Sequence, residues 1–140
     1  MGKKKYFNHD LGFTLVELLV AMTIVAVLAA LSLVSYQGAR KNARDGQRKA
    51  DLEQIRSALE ICRADTGSYP LGALSSGSDI TCGGTTYLTI PNDPLDGRNY
   101  VYSGTANTYV LCASLELIVE AVVGCGSCGG TDCSYKLINP

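Results

Sequence analysis

The chain has 140 residues, with 12 Lys and Arg against 13 Asp and Glu for a formal net charge of −1. That balance carries no nucleic-acid footprint, and a single histidine, His9, leaves little for acid–base or metal chemistry. Six cysteines and 15 glycines in so short a chain suit a small exported domain rather than a cytosolic enzyme.

The first element is a basic leader, Met1–Gly12, with Lys3, Lys4 and Lys5 against Asp10. It is followed by Gly12-Phe13-Thr14-Leu15-Val16-Glu17 and then by seventeen residues without a charge, Leu18 to Val34. As a helix, Phe13–Tyr36 reaches roughly 36 Å at ~1.5 Å per residue, enough for a hydrocarbon core of ~30 Å. Basic residues ahead of a first apolar helix hold that end in the cytoplasm, so the chain after Tyr36 is expected outside. Glu17 is the anomaly. An intramembrane carboxylate is costly, and one that is kept implies a function and a partner.

An ordinary secretory signal peptide, cut near Val27-Leu28-Ala29, fits poorly, because its apolar region spans about 7–15 residues and carries no acid. A plain signal anchor explains the length but not Glu17. The combination of glycine, aromatic residue, glutamate and unbroken apolar run resembles the N-terminus of type IV prepilins and type II secretion pseudopilins. The resemblance implies a cut between Gly12 and Phe13 by a prepilin peptidase that also N-methylates Phe13. It further implies that the apolar helix forms a filament core, with Glu17 acting in assembly. His9 would leave with the leader, and without Lys3, Lys4, Lys5 and Asp10 the nine basic and twelve acidic residues sum to −3.

The next element is predicted as an amphipathic continuation of the same helix. Ala39, Ala43, Gly46 and Ala50, then Leu52, Ile55, Leu59 and Cys62, recur at three- and four-residue spacing among charges. No proline interrupts Phe13–Asp65, so the two halves are expected to form one rod of roughly 80 Å at ~1.5 Å per residue. Seven basic and five acidic residues between Tyr36 and Asp65 read as a solvated face. Arg48 with Asp51 and Asp45 with Lys49 have the spacing of helix pairs. A contact with lipid headgroups is the other use of such a cluster. The helix is expected to stop at Asp65-Thr66-Gly67, ahead of Pro70.

Thr66–Pro140 reads as a small antiparallel cap, with eleven of the glycines and six of the eight tyrosines. Strands are predicted at Thr86–Ile90, Asn99–Ser103 and Thr108–Leu115, with a hairpin loop at Ser103–Asn107. Pro91–Gly97 reads as a turn-rich connector in which Asp93 and Asp96 serve as turn residues. Leu115–Gly124 suits either a strand extension or a short helix, and its apolar residues suit a subunit contact. Tyr69-Pro70, the connector and Tyr100-Val101-Tyr102 resemble the major pseudopilin of type II secretion. That resemblance would imply a calcium site in a late acidic loop. Here Glu116, Glu120 and Asp132 are widely spaced, so no metal site is carried over.

Cys82, Cys112, Cys125, Cys128 and Cys133 are expected to form disulfides. Cys62 suits either a bridge or a buried apolar position beside Leu59. If all six pair, fifteen connectivities are open. Metal or redox work at Cys125-Gly126-Ser127-Cys128-Gly129-Gly130-Thr131-Asp132-Cys133 is the alternative, but beyond these three cysteines zinc needs a fourth ligand such as Cys112 or Asp132. A redox pair needs a helix N-terminus where glycines stand instead.

The expected protein is therefore α+β: a leader (1–12), a transmembrane and filament-core helix (13–36), and a pilin-like head (37–140) with an antiparallel sheet. It is expected to be a structural subunit, not an enzyme, without cofactor or metal. It would be stored in the inner membrane with its N-terminus in the cytoplasm and its head outside, then built into a cell-surface or periplasmic filament. Expected partners are the prepilin peptidase/N-methyltransferase, other pilin subunits, an inner-membrane assembly platform and membrane lipid, with no direct nucleic-acid binding. The alternative is a membrane-anchored extracytoplasmic binding module that never polymerises.

Overall fold

A computed structural model describes residues 12–118 and 120–139. The leader before Gly12, with Lys3, Lys4, Lys5, His9 and Asp10, lies outside the described residues. One long helix, α1 (Leu15–Thr66), precedes six short strands: β1 (Gly72–Ser75), β2 (Asp79–Cys82), β3 (Thr85–Thr89), β4 (Val101–Gly104), β5 (Tyr109–Ala113) and β6 (Tyr135–Ile138). The chain divides into two units, residues 1–38 and 39–140.

In the first unit, every described side chain from Phe13 to Leu33 is exposed. Leu, Val, Ala and Ile make up most of this stretch and stay uncovered within the unit. The helix is long and apolar enough to cross a membrane.

In the second unit, α1 buries Asp45, Arg48, Leu52, Ile55, Leu59 and Cys62, a stripe at alternating three- and four-residue spacing. This corrects the expected stripe at its start. Ala39, Ala43, Gly46 and Ala50 are exposed, and a charged pair occupies the inner face instead. Small apolar residues gain little by burial, whereas Asp45 and Arg48 find partners in the head. The helix ends as expected. Gly67 takes a left-handed φ of 80°, and its N–H donates to the Arg63 carbonyl at 2.8 Å.

The main sheet has the order β1-β4-β5-β6, antiparallel throughout, and β2 with β3 forms a separate hairpin. The expected meander is thus corrected, because β4 pairs back to β1 across the intervening hairpin. Only β3, β4 and β5 correspond to expected strands, and β5 stops at Ala113 rather than Leu115. The described residues of Leu115–Gly124 form neither strand nor helix. β6 escaped the sequence reading because only Tyr135 and Leu137 of its four residues pack inward, against the core. That core joins Leu52, Ile55 and Leu59 to Tyr69, Ile80, Ile90, Tyr100, Tyr102, Tyr109 and Leu111. Tyr69 meets Tyr109 edge-on at 4.8 Å between ring centres, a favoured aromatic geometry. Gly104 is required by crowding: a Cβ there would strike the Tyr102 hydroxyl, which donates to the Pro70 carbonyl.

Candidate functional site

At the start of α1, Thr14 and Glu17 bind each other reciprocally. The Thr14 N–H and hydroxyl each donate to Glu17 Oε2 at 2.9 Å, and the Glu17 N–H donates to Thr14 Oγ1 at 3.2 Å. This is a capping box, with Thr14 at the N-cap and Glu17 three residues on, each satisfying a backbone donor the helix leaves open. The spacing Thr14-x-x-Glu17 is the sequence signature of such a box. Glu17 thus has a structural role inside its own chain. Among the described residues, its Oε1 receives no hydrogen bond. Phe13 is 84% exposed beside it, and Phe13, Glu17, Leu18 and Ala21 line one shallow groove.

A second constellation holds the head to its helix. Arg48, with no exposed surface, grips Asp93 with both arms of its guanidinium, Nε to Oδ2 at 2.7 Å and Nη2 to Oδ1 at 2.8 Å. Its Nη1 donates to Asp45 at 2.7 Å and to Glu116 at 3.0 Å. Arg44 takes the two oxygens of Glu116 at 2.6 and 2.7 Å. The Asp45 carboxylate also accepts the N–H groups of Glu116 and Leu117, and Asp93 accepts that of Leu95. Taking two guanidiniums and three carboxylates from water is expensive, and paired, fully bonded geometry of this kind offsets it.

The electrostatics follow from these contacts. The bonds from Arg44 draw the Glu116 carboxyl down to about 2 despite its partial burial. For Arg48, burial disfavours the charge, but the bonds to Asp93, Glu116 and Asp45 outweigh it and its pKa is raised. The expected helix pairs are corrected here. Asp51 accepts from the Tyr100 hydroxyl at 2.6 Å, and Lys49 lies over the Tyr135 ring. Asp93 is a turn residue and also Arg48's partner, a role no local pattern shows.

The third constellation is covalent. Cys62–Cys82 ties α1 to β2, Cys112–Cys125 ties β5 to the loop that follows, and Cys128–Cys133 closes that loop on itself. The last four cysteines pack together with Val101, Val110 and Val122. Cys62 is thus bridged as well as buried. Among the described residues no group of three His, Cys, Asp or Glu side chains is placed to hold a metal ion. Glu116, the first acid of the late loop, is taken up by arginines.

The chain matches the model of the prokaryotic N-terminal methylation motif over residues 7–33, the stretch that contains Gly12, Phe13 and Glu17. It is 30% identical over 102 residues to the type IV wide pilus major component PilA4 of Thermus thermophilus, covering 73% of this chain and 71% of that protein. The chain belongs to the type IV pilin and pseudopilin family. Within that family it is also 30% identical to the type II secretion system core protein G of Dickeya chrysanthemi, over 66% of this chain and 56% of the relative. It is 29% identical to the prepilin peptidase-dependent protein D of Escherichia coli, over 85% and 66%. No solved structure matches. As a pilin-like protein the chain is a structural subunit and not an enzyme. The family implies processing by a peptidase, polymerisation with other subunits, and a membrane-anchoring helix joined to a filament-forming head.

Proposed function

We propose that the chain is a prepilin stored in the inner membrane by residues 13–36, with its leader in the cytoplasm and its head (37–140) outside. A prepilin peptidase cuts between Gly12 and Phe13 and methylates the new N-terminus, and an inner-membrane platform draws the subunit into a type IV pilus or a type II pseudopilus. The observation that carries this proposal is the unbroken exposure of apolar side chains from Phe13 to Leu33 behind a motif for N-terminal methylation. Such a surface is stable only in lipid or against sibling helices.

Glu17 links the two environments. Its capping box does not use the Gly12–Phe13 bond, because the Thr14 N–H belongs to the Phe13–Thr14 peptide, which a cut after Gly12 leaves intact. The Phe13 amine becomes a charge only after cutting. In a neighbouring subunit it pairs with the Glu17 carboxylate, so processing precedes assembly.

Coexpression with a prepilin peptidase tests the first step. Mass spectrometry is expected to show loss of Met1–Gly12 and a methylated Phe13. A mature N-terminus at Ala30 would instead establish an ordinary signal peptide. Sheared filaments containing the chain are expected from a strain with the complete assembly machinery. A processed chain that stays in the membrane fraction of such a strain would favour a non-polymerising binding module.

A further inference from the structure

Three bonded levels order the head along its helix. Tyr109, where β5 begins, donates to Glu60 at 3.2 Å, Tyr100 donates to Asp51, and the N–H of Glu116, just beyond the end of β5, reaches Asp45 at 2.9 Å. β5 therefore runs toward the end of the unit at which the chain enters it. The excursion from Glu116 to Ser134 emerges at that end. Lys41 lines one cleft with Glu116 and Ile118 there. Between Val34 and Lys41 there is no more than about 25 Å of chain, even fully extended.

Within this excursion apolar side chains are exposed. Leu117 is 51% exposed, Ile118 44% and Val123 89%. The backbone of the excursion is held at three points. The Leu117 N–H is fixed by Asp45, the Val122 N–H by the Cys133 carbonyl at 2.8 Å, and Cys125 by its bridge to Cys112. Cations flank both ends of the apolar segment. Lys41 shares the cleft with Ile118, and Lys136 Nζ donates to the Val123 carbonyl at 3.0 Å. Arg98 lines the same cleft and donates to the Ser114 carbonyl. Against these three cations stand Glu120, exposed in the loop, and Asp132 in the cleft wall, while Glu116 is neutralised by Arg44 and Arg48.

Apolar side chains alternating with long cations suit the boundary between acyl chains and anionic headgroups, where aliphatic groups sink and amines stay at the surface. We propose that, in the stored subunit, Leu117, Ile118 and Val123 insert into the interface of the same membrane that the apolar helix crosses, with Lys41 and Lys136 at its anionic headgroups. The head is then a second, reversible attachment, which extraction into a filament must break. The inference rests on the membrane-storage proposal above.

The chain has no tryptophan, so a single one reports cleanly. Full-length V123W and I118W are to be reconstituted in vesicles of phosphatidylethanolamine and phosphatidylglycerol, beside L71W. Leu71 is 75% exposed and follows Pro70, whose carbonyl is bonded by Tyr102 near the far end of the unit's helix. An unchanged disulfide pattern shows that each variant has folded. Brominated lipid is expected to quench V123W and I118W several-fold more than L71W, and the difference should shrink when phosphatidylcholine replaces phosphatidylglycerol. If all three report equal access to aqueous acrylamide while the chain resists carbonate extraction, the inference fails and membrane storage stands. If carbonate releases the chain, the storage proposal fails and the inference with it. Shielding that rises with protein-to-lipid ratio and ignores bromination would assign the patch to a neighbouring subunit and overturn the lipid contact.

Discussion

At the scale of single residues, Glu17 carries two separable properties, a hydrogen-bonding shape and a charge. Glu17→Gln keeps an oxygen that accepts from Thr14 and so keeps the cap, whereas the charge is lost. If pairing with a neighbour's amine drives assembly, Glu17→Gln is expected to insert and be cut normally but to give at least tenfold fewer sheared filaments, in a strain lacking other subunits. Equal yields from Glu17→Gln and wild type would show that the cap alone matters. Thr14→Ala is the converse variant. It removes the cap at a cost of about 1 kcal/mol but leaves the charge, so its filament yield should fall far less. Arg48 is the residue on which the head depends most. Arg48→Met leaves Asp93 and Asp45 without their guanidinium, and removing one partner of a buried pair costs about 3–5 kcal/mol. Urea unfolding of the detergent-solubilised chain, followed by tyrosine near-UV circular dichroism, should show that loss as a lower midpoint.

At the scale of elements, the junction between α1 and the late loop is an acid-sensitive clasp. The Glu116 carboxyl titrates at about 2 in the folded head, below its ordinary value of 4.5. A depressed carboxylate pKa contributes stability that is complete above the unfolded value and is lost as pH falls through the folded one. The head should therefore weaken between about pH 5 and pH 2, and Glu116→Gln should flatten that slope. The alkaline side has the opposite sign. Burial pushes the Tyr102 hydroxyl up to about 12, and burial with Asp51 and Glu60 raises Tyr100 and Tyr109. Stability from the neutral Tyr102 phenol is complete below about pH 10 and is lost as pH climbs through about 12.

The bridges act between elements as well. By loop-closure entropy, Cys62–Cys82 and Cys112–Cys125 each contribute about 3 kcal/mol, and the short Cys128–Cys133 loop about 2. Native protein should show no alkylatable thiol until reductant is added. Replacing Cys112 and Cys125 by serine should lower stability more than replacing Cys128 and Cys133.

At the scale of the whole molecule, the chain combines one unit whose apolar surface finds no cover within itself with another that has a closed core and bonded polar groups. No buried side-chain nitrogen or oxygen among the described residues lacks a partner. That contrast is what a filament subunit needs, since the first unit must exchange lipid for sibling helices while the second stays folded.

The apolar run, the stop at Gly67 and the methylation motif were legible from residues alone, because each is written within a few neighbouring positions. The stripe Leu52, Ile55, Leu59, Cys62 was legible for the same reason. Arg48 was not. Periodicity sorts residues by polarity, and it assigns an arginine to solvent unless its acids are known, yet Asp93 lies 45 positions away and Glu116 68. The bridge pairing was equally closed to sequence, since composition leaves all fifteen connectivities open and only proximity in the fold chooses one. The same holds for the sheet order, where β1 waits for β4 across an intervening hairpin. Local chemistry determined where the helix stops and where the methylation motif lies. Which distant side chains meet was decided by tertiary closure, because burial of Arg48 is tolerable only when Asp93 and Glu116 arrive from separate segments to join Asp45 of its own helix.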